Sequence, residues 1–156
     1  MVTERKSRWA LQWTHIATGI RGLQAPLRLE IRTRHHDFRT VDFLMDSGAK
    51  VTSISAAAAR DWHIPFSQKA IELELRTVLG RVRQRVHPGQ ITVRIPGLEG
   101  REFTWPCHFV EHKGSPPPQV LGLAGILQDL RIIFDGAHTQ DAPYGCLILE
   151  ELMRTT

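Results

Sequence analysis

A small all-β protein is what this sequence predicts, from three observations. Short segments alternate apolar and polar residues at period two, glycine and proline punctuate them roughly every ten to twenty residues, and helix-forming stretches are scarce. The 156 residues are too few for two lobes with separate β-rich cores, so one domain spanning 1–156 is expected. Apolar residues at 42% and charged residues at 23% allow a buried core without disulfides, a metal or another cofactor. Lysine and arginine outnumber aspartate and glutamate by 20 to 16, but no basic run of five occurs, which argues against a nucleic-acid partner. Cys107 and Cys146 have no spacing that specifies a bridge, and free buried thiols are expected. The first twenty residues are broken by Arg, Gln, Thr and His, and no apolar stretch of about 18 residues occurs, so no membrane association and a cytoplasmic location are expected.

The elements follow in order. Pro26 to Thr33 alternates Leu27, Leu29 and Ile31 against Arg28, Glu30 and Arg32, the pattern of a strand with one buried face. His35, His36 and Asp37 make a polar turn, and Thr40 to Met45 returns as an apolar strand that ends at Asp46. Ala56 to Trp62 is alanine-rich and reads as a short helix closed before Pro65. Ile71 to Leu79 and Arg81 to Val86 alternate on either side of Gly80, predicting a long hairpin with its tip there. Ile91 to Ile95 and Phe103 to Val110 are two further strands, separated by the turn Pro96 to Gly100. Gly114 to Pro118 is a stiff loop, because its three prolines cannot donate to a ladder. A helical turn over Ala124 to Asp129 and a strand over Leu130 to Phe134 complete the pattern.

One constellation carries chemistry. Asp46-Ser47-Gly48-Ala49 directly follows the apolar Phe43-Leu44-Met45, and Thr52 lies six residues past the aspartate. A hydrophobic strand here delivers a carboxylate into a turn, where it needs a partner or a shared proton. Ser47 supplies a small hydroxyl, and Gly48 allows close backbone approach and room for a water. Taken alone, the tripeptide equally describes a turn aspartate bonding its own backbone. The second half is Val120-Leu121-Gly122, followed by Ile126-Leu127-Gln128-Asp129-Leu130-Arg131-Ile132-Ile133-Phe134-Asp135. With both halves present, the sequence resembles the retropepsin-like aspartic proteases, and its closing run resembles their bacterial single-domain members. The resemblance covers about Leu27 to Gly136.

The resemblance implies a closed retropepsin-like β-barrel or sandwich with one or two short helices and a flap hairpin. It implies an aspartic endopeptidase in which Asp46 is catalytic, Ser47 grips the opposite subunit's loop, Gly48 and Ala49 face substrate, and Thr52 supports the turn. Thr77, Val78, Leu79, Gly80 and Arg81 fall where the family carries its flap, and Leu121 and Gly122 line the site. Retroviral members carry an acidic residue and an arginine where this chain has Lys50 and Leu123, so a supporting ion pair is lost jointly. One such loop per chain implies a homodimer acting on a peptide or protein, in which two Asp46 carboxylates share a proton and activate a water. Cys146 to Leu149 is expected at that interface. The same residues are also consistent with a catalytically silent dimeric binding or regulatory module.

Other residues compete for attention. Cys107, His108 and His112, with His35, His36 or His87, contain zinc-ligand types, but adjacent strand residues face opposite ways, so Cys107 is expected in the core and His108 at the surface. Trp9, Trp13, Trp62 and Trp105 are expected as core or interface anchors. Arg81, Arg83 and Arg85 share one face of a strand and read as a solvated face. Asp135-Gly136-Ala137 lacks the intervening hydroxyl and reads as a strand-ending turn.

Overall fold

The computed structural model describes residues 5–17, 19–77 and 80–152. From the N-terminus, β1 (Lys6–Ala10) is followed by the hairpin strands β2 (Gln12–Ala17) and β3 (Ile20–Gln24). No sequence motif anchored these strands. β4 (Pro26–Arg32) and β5 (Phe38–Met45) then form the alternating hairpin, with Leu27, Leu29, Ile31, Val41 and Phe43 turned inward. β6 (Thr52–Ser55) runs into α1 (Ala56–Asp61), whose first turn is capped by Ser55 Oγ accepting the Ala58 N–H at 3.2 Å. β7 (Ile71–Thr77) and β8 (Gly80–Arg94) pair antiparallel from Ile71↔Val86 to Thr77↔Gly80. β9 (Phe103–Val110), β10 (Val120–Leu121), α2 (Ile126–Asp129), β11 (Leu130–Asp135) and β12 (Cys146–Glu151) complete the order.

Seven strands form the main sheet in the order β4-β5-β10-β6-β9-β8-β7. A contact of β4 with β8, at Glu30↔Arg94 and Ile31↔Val93, bends it into a ring. β7 lies outside this ring, carried by β8 as a projecting arm. The all-β expectation holds, with helices of six and four residues among the described residues.

A smaller sheet, β1-β12-β11, packs against the ring through Leu147 and Leu149, which belong to the same buried cluster as Phe43, Trp105 and Phe109. Trp105 is fully buried, and its indole N–H donates to Asp129 Oδ2 at 3.0 Å, so the largest core side chain leaves no polar atom unsatisfied there. Trp9 and Trp62 pack on the same cluster, whereas Trp13 is exposed against Tyr144.

Two expectations change. Arg81–Val86 and Ile91–Arg94 are parts of one fifteen-residue strand, β8, and Ile95 lies just past its end. Pro88 is tolerated inside it because β8 has left β7 at Val86 and reaches β4 only at Val93, so the missing N–H falls where one edge is unpaired. The second correction concerns Cys146 to Leu149. It is the central strand of its sheet, with β1 on one side and β11 on the other, so it presents no edge to a second chain. Its four consecutive apolar residues are buried because both faces are covered, not because they meet a partner.

Candidate active site

β5 places Asp46 by register. Val41, Phe43 and Met45 point into the core, and the chain leaves the sheet one residue later with Asp46, Ser47 and Gly48 exposed. Asp46 Oδ1 accepts the Gly48 N–H at 2.8 Å, and Asp46 O accepts the Ala49 N–H at 3.0 Å. The turn-aspartate geometry is therefore present, and it orients the carboxylate without burying it.

β10 locks this loop to the downstream glycine segment. Leu121 lies parallel to Met45 of β5, while Val120 lies antiparallel to Ser53 of β6. The Asp46 N–H donates to Leu121 O at 3.1 Å, Leu123 N–H to Ala49 O at 3.0 Å, and Ala124 N–H to Lys50 O at 2.8 Å. Beneath them the Gly122 N–H donates to the buried Thr52 Oγ1 at 3.1 Å. Gly122 has to be glycine: a Cβ there would lie 2.4 Å from the Val51 carbonyl carbon. The two sequence halves that lie 70 residues apart at Thr52 and Gly122 thus form one rigid unit.

Thr52 gives a direct prediction. Thr52→Val should cost about 1–3 kcal/mol by orphaning the buried Gly122 N–H, whereas Thr52→Ser should recover most of it. Urea denaturation of the two variants checks this; equal stability for both would mean that the hydroxyl does not anchor the loop.

A cleft of about 790 Å³ opens beside the loop, lined by Gly48, Ala49, Lys50 and Val51, by Leu73 and Leu75 of β7, and by Val86, His108, Val110 and Val120. The arms of the β7–β8 hairpin form one wall. Thr77 and Gly80 close its last described pair, and Gly80 takes φ +118°, a conformation favouring glycine. Val78 and Leu79 lie outside the described residues. Arg81 Nη1 lies 3.0 Å from Glu74 Oε1 across the arms, an exposed pair of small energetic weight. Leu121 and Gly122 are buried under the loop and do not line the cleft.

Lys50 is exposed, and Leu123 packs against the core, so an apolar contact occupies the place where relatives have a charged one. The sequence alone puts His108 at the surface, whereas in the structure it is a half-buried wall of the cleft, with burial holding its imidazole below the usual histidine range. The signal that could have placed it is strand alternation, which sets it on the same face as Val110. Cys107 on the opposite face is buried, and burial pushes its thiol far above the usual range. Two further candidate ligands serve other partners: His112 Nε2 lies 2.8 Å from Ser55 Oγ, and His87 Nε2 lies 2.8 Å from Glu111 Oε1. Asp135 Oδ1 accepts the Ala137 N–H at 2.9 Å, the geometry of a strand-ending turn.

The family model described as aspartyl protease matches residues 31–124, a span that contains both the Asp46 loop and Gly122. The chain belongs to the aspartyl protease family. Among solved structures, it is similar to a retropepsin-like aspartic protease from Rickettsia conorii, at 14% identity and a TM-score of 0.54, over 97% of this chain and 96% of that one. The chain therefore has the retropepsin-like fold. No curated protein matches its sequence significantly. Among the described residues, no helix is long and apolar enough to cross a membrane.

Proposed function

We propose that the protein is an aspartic endopeptidase whose site is completed when two copies bring their Asp46 loops together. The observation that carries this reading is the exposed Asp46 held on a buried, hydrogen-bonded scaffold of Leu121, Gly122 and Thr52, beside a cleft with apolar walls. Two carboxylates about 3 Å apart cannot both ionise, so they share one proton. The ionised carboxylate takes a proton from a bound water as it attacks the peptide carbonyl, and the protonated one donates to the carbonyl oxygen. No covalent intermediate forms. Ser47, exposed at the tip, is the group proposed to grip the opposite loop, while Gly48 and Ala49 face the substrate.

A peptide lying in the cleft would contact Leu73, Leu75 and Val86 through its side chains. The β7–β8 hairpin is the flap in this reading, with the tip around Thr77 to Arg81 closing over the substrate and excluding water. Gly80→Val is expected to lower turnover by about tenfold or more, because a β-branched residue is strained at φ +118°. Unchanged turnover with an unchanged thermal midpoint would remove the tip from the mechanism.

The two-copy reading is tested by dilution. Specific activity on an unfolded protein substrate should rise with protein concentration and then saturate. Full activity from a strict monomer, measured by ultracentrifugation at the assay concentration, would refute it. A folded dimer without any peptidase activity would instead favour the binding-module alternative.

A further inference from the structure

The β7–β8 arm has two faces. Leu73, Gln84 and Val86 turn to the cleft, and Arg83, Arg85 and His87 alternate to the other side. There they meet α1 and the residues after β9 in a second pocket of about 720 Å³. Arg60, Arg83, Arg85 and Lys113 bring permanent cations to it, and Glu111 is the one acid among its described lining residues.

That acid is already engaged. Glu111 Oε1 accepts from Arg60 Nη2 at 2.6 Å and lies 2.8 Å from His87 Nε2, and the Arg60 guanidinium sits over the Phe66 ring at 5.4 Å. Among the described residues, Arg83, Arg85 and Lys113 enter no ion pair. The acids of β7 do not serve them either. Glu72 and Glu74 stand opposite Arg85 and Arg83 in the ladder, but Glu74 turns to Arg81 at 3.0 Å and no ion pair joins Glu72 to Arg85. Cations gathered on one wall without counter-charges repel one another, and an anionic partner would relieve that repulsion.

We propose that this pocket is an exosite for an acidic segment of the protein substrate, with carboxylates at alternate positions seated on Arg83 and Arg85. The proposal rests on the endopeptidase reading above and names the class of chain that the cleft receives.

Spacing and continuity both favour a polypeptide. Arg83 and Arg85 lie two residues apart on one strand, so they repeat at about 7 Å, the interval at which an extended peptide presents alternate side chains. Pocket and cleft also communicate, since Gln84 lines both. The β8–β9 ladder starts at Val86↔Val110, Glu111 N–H donates to Arg85 O at 3.0 Å, and from Val82 to Gln84 β8 pairs with β7 alone among the described residues. A chain leaving the cleft can pass this open edge and reach the cations without crossing the arm. Nucleic acid fits less well. No Trp, Tyr or Phe is among the described lining residues, so bases find no stacking platform.

The experiment compares labelled peptides that share an apolar core and end in Glu-Ser-Glu-Ser-Glu or in Gln-Ser-Gln-Ser-Gln, each made with the tail at either end. Binding to the whole Asp46→Asn chain is read by fluorescence anisotropy, which needs no turnover. With the tail at one of the two ends, the acidic peptide should bind about five- to tenfold more tightly than the neutral one, and raising salt from about 0.05 to 0.5 M should erase the difference. Arg83→Gln/Arg85→Gln, at exposed positions, should abolish the preference. Arg8→Gln/Arg28→Gln removes the same charge from exposed positions outside the pocket and should keep it. In the wild-type chain the preference should appear in KM, with kcat unchanged. Equal binding of the two peptides, or a preference that survives Arg83→Gln/Arg85→Gln, would overturn the exosite, and cleavage of both peptides would then leave the endopeptidase standing. A preference lost equally in Arg8→Gln/Arg28→Gln would overturn it too, as an effect of net charge. Preferential binding with no cleavage of either peptide or of an unfolded protein would overturn the endopeptidase reading and leave the pocket as the acidic-peptide site of a binding module. A single-stranded oligonucleotide of equal charge that binds the pocket more tightly than the acidic peptide would assign it to nucleic acid and overturn the proposal.

Discussion

Asp46→Asn should reduce hydrolysis of an unfolded protein substrate by about 10²–10⁴ while leaving the fold unchanged. The substitution is nearly isosteric, and the asparagine carbonyl oxygen can accept the Gly48 N–H that Asp46 Oδ1 accepts at 2.8 Å. The backbone bonds from Asp46 to Leu121 and from Ala49 to Asp46 do not involve the side chain and should persist. What disappears is the group that can take a proton from water and later give one back. In the two-copy site each dimer would lose both carboxylates, so no partial function is expected. Peptide cleavage assayed together with thermal unfolding checks the prediction. A loss of activity with an unchanged midpoint supports Asp46 as the acid and base, and retained activity in a folded variant would remove it from that role.

Gly122→Ala should cost about 3 kcal/mol of stability, near the top of the usual range for overpacking, and should remove activity with it. The added methyl would meet the Val51 carbonyl carbon at 2.4 Å, its oxygen at 2.6 Å and the Thr52 nitrogen at 2.8 Å. All three are backbone atoms, so no side chain can swing aside. Gly122 cannot retreat either, because its own N–H is tied to Thr52 Oγ1 and its neighbours Leu121 and Leu123 are bonded to Asp46 and Ala49. Against a total stability of about 5–15 kcal/mol for an ordinary domain, such a loss is readily seen in denaturant midpoints. Gly136→Ala is the control, since a Cβ there meets nothing within 4 Å, and it should be close to neutral. Similar stability for the two variants would show that the loop and the glycine segment are not packed as tightly as their geometry implies.

The parts of the site visible in the sequence were those whose chemistry is local. Asp46-Ser47-Gly48 after an apolar strand, and a glycine after two apolar residues, are recognisable because a tight turn and a close backbone approach restrict residue type at those positions. His108 was not recognised, because a single histidine on a strand carries no mark of the cleft into which its face turns. That Cys146 to Leu149 presents no edge was hidden for a related reason. Cys146 to Leu149 is apolar at four successive positions, and such a run describes a strand covered on both faces equally well whether the cover comes from its own chain or from another.

Alternation at period two determined which residues of β4, β5 and β9 face inward, and turn residues determined where hairpins close. The pairing of Asp46-Ser47-Gly48 with Val120-Leu121-Gly122 determined the family. Only the tertiary structure decided which strands are neighbours: that β8 continues through Pro88, that the N-terminal β1 caps one side of β12, and that no described strand pairs with the outer edge of β11. The physical reason is that side-chain periodicity is written in each strand separately. Edge pairing uses backbone groups that every residue possesses alike, so the neighbour of a strand is set by the packing of distant segments and not by its own composition.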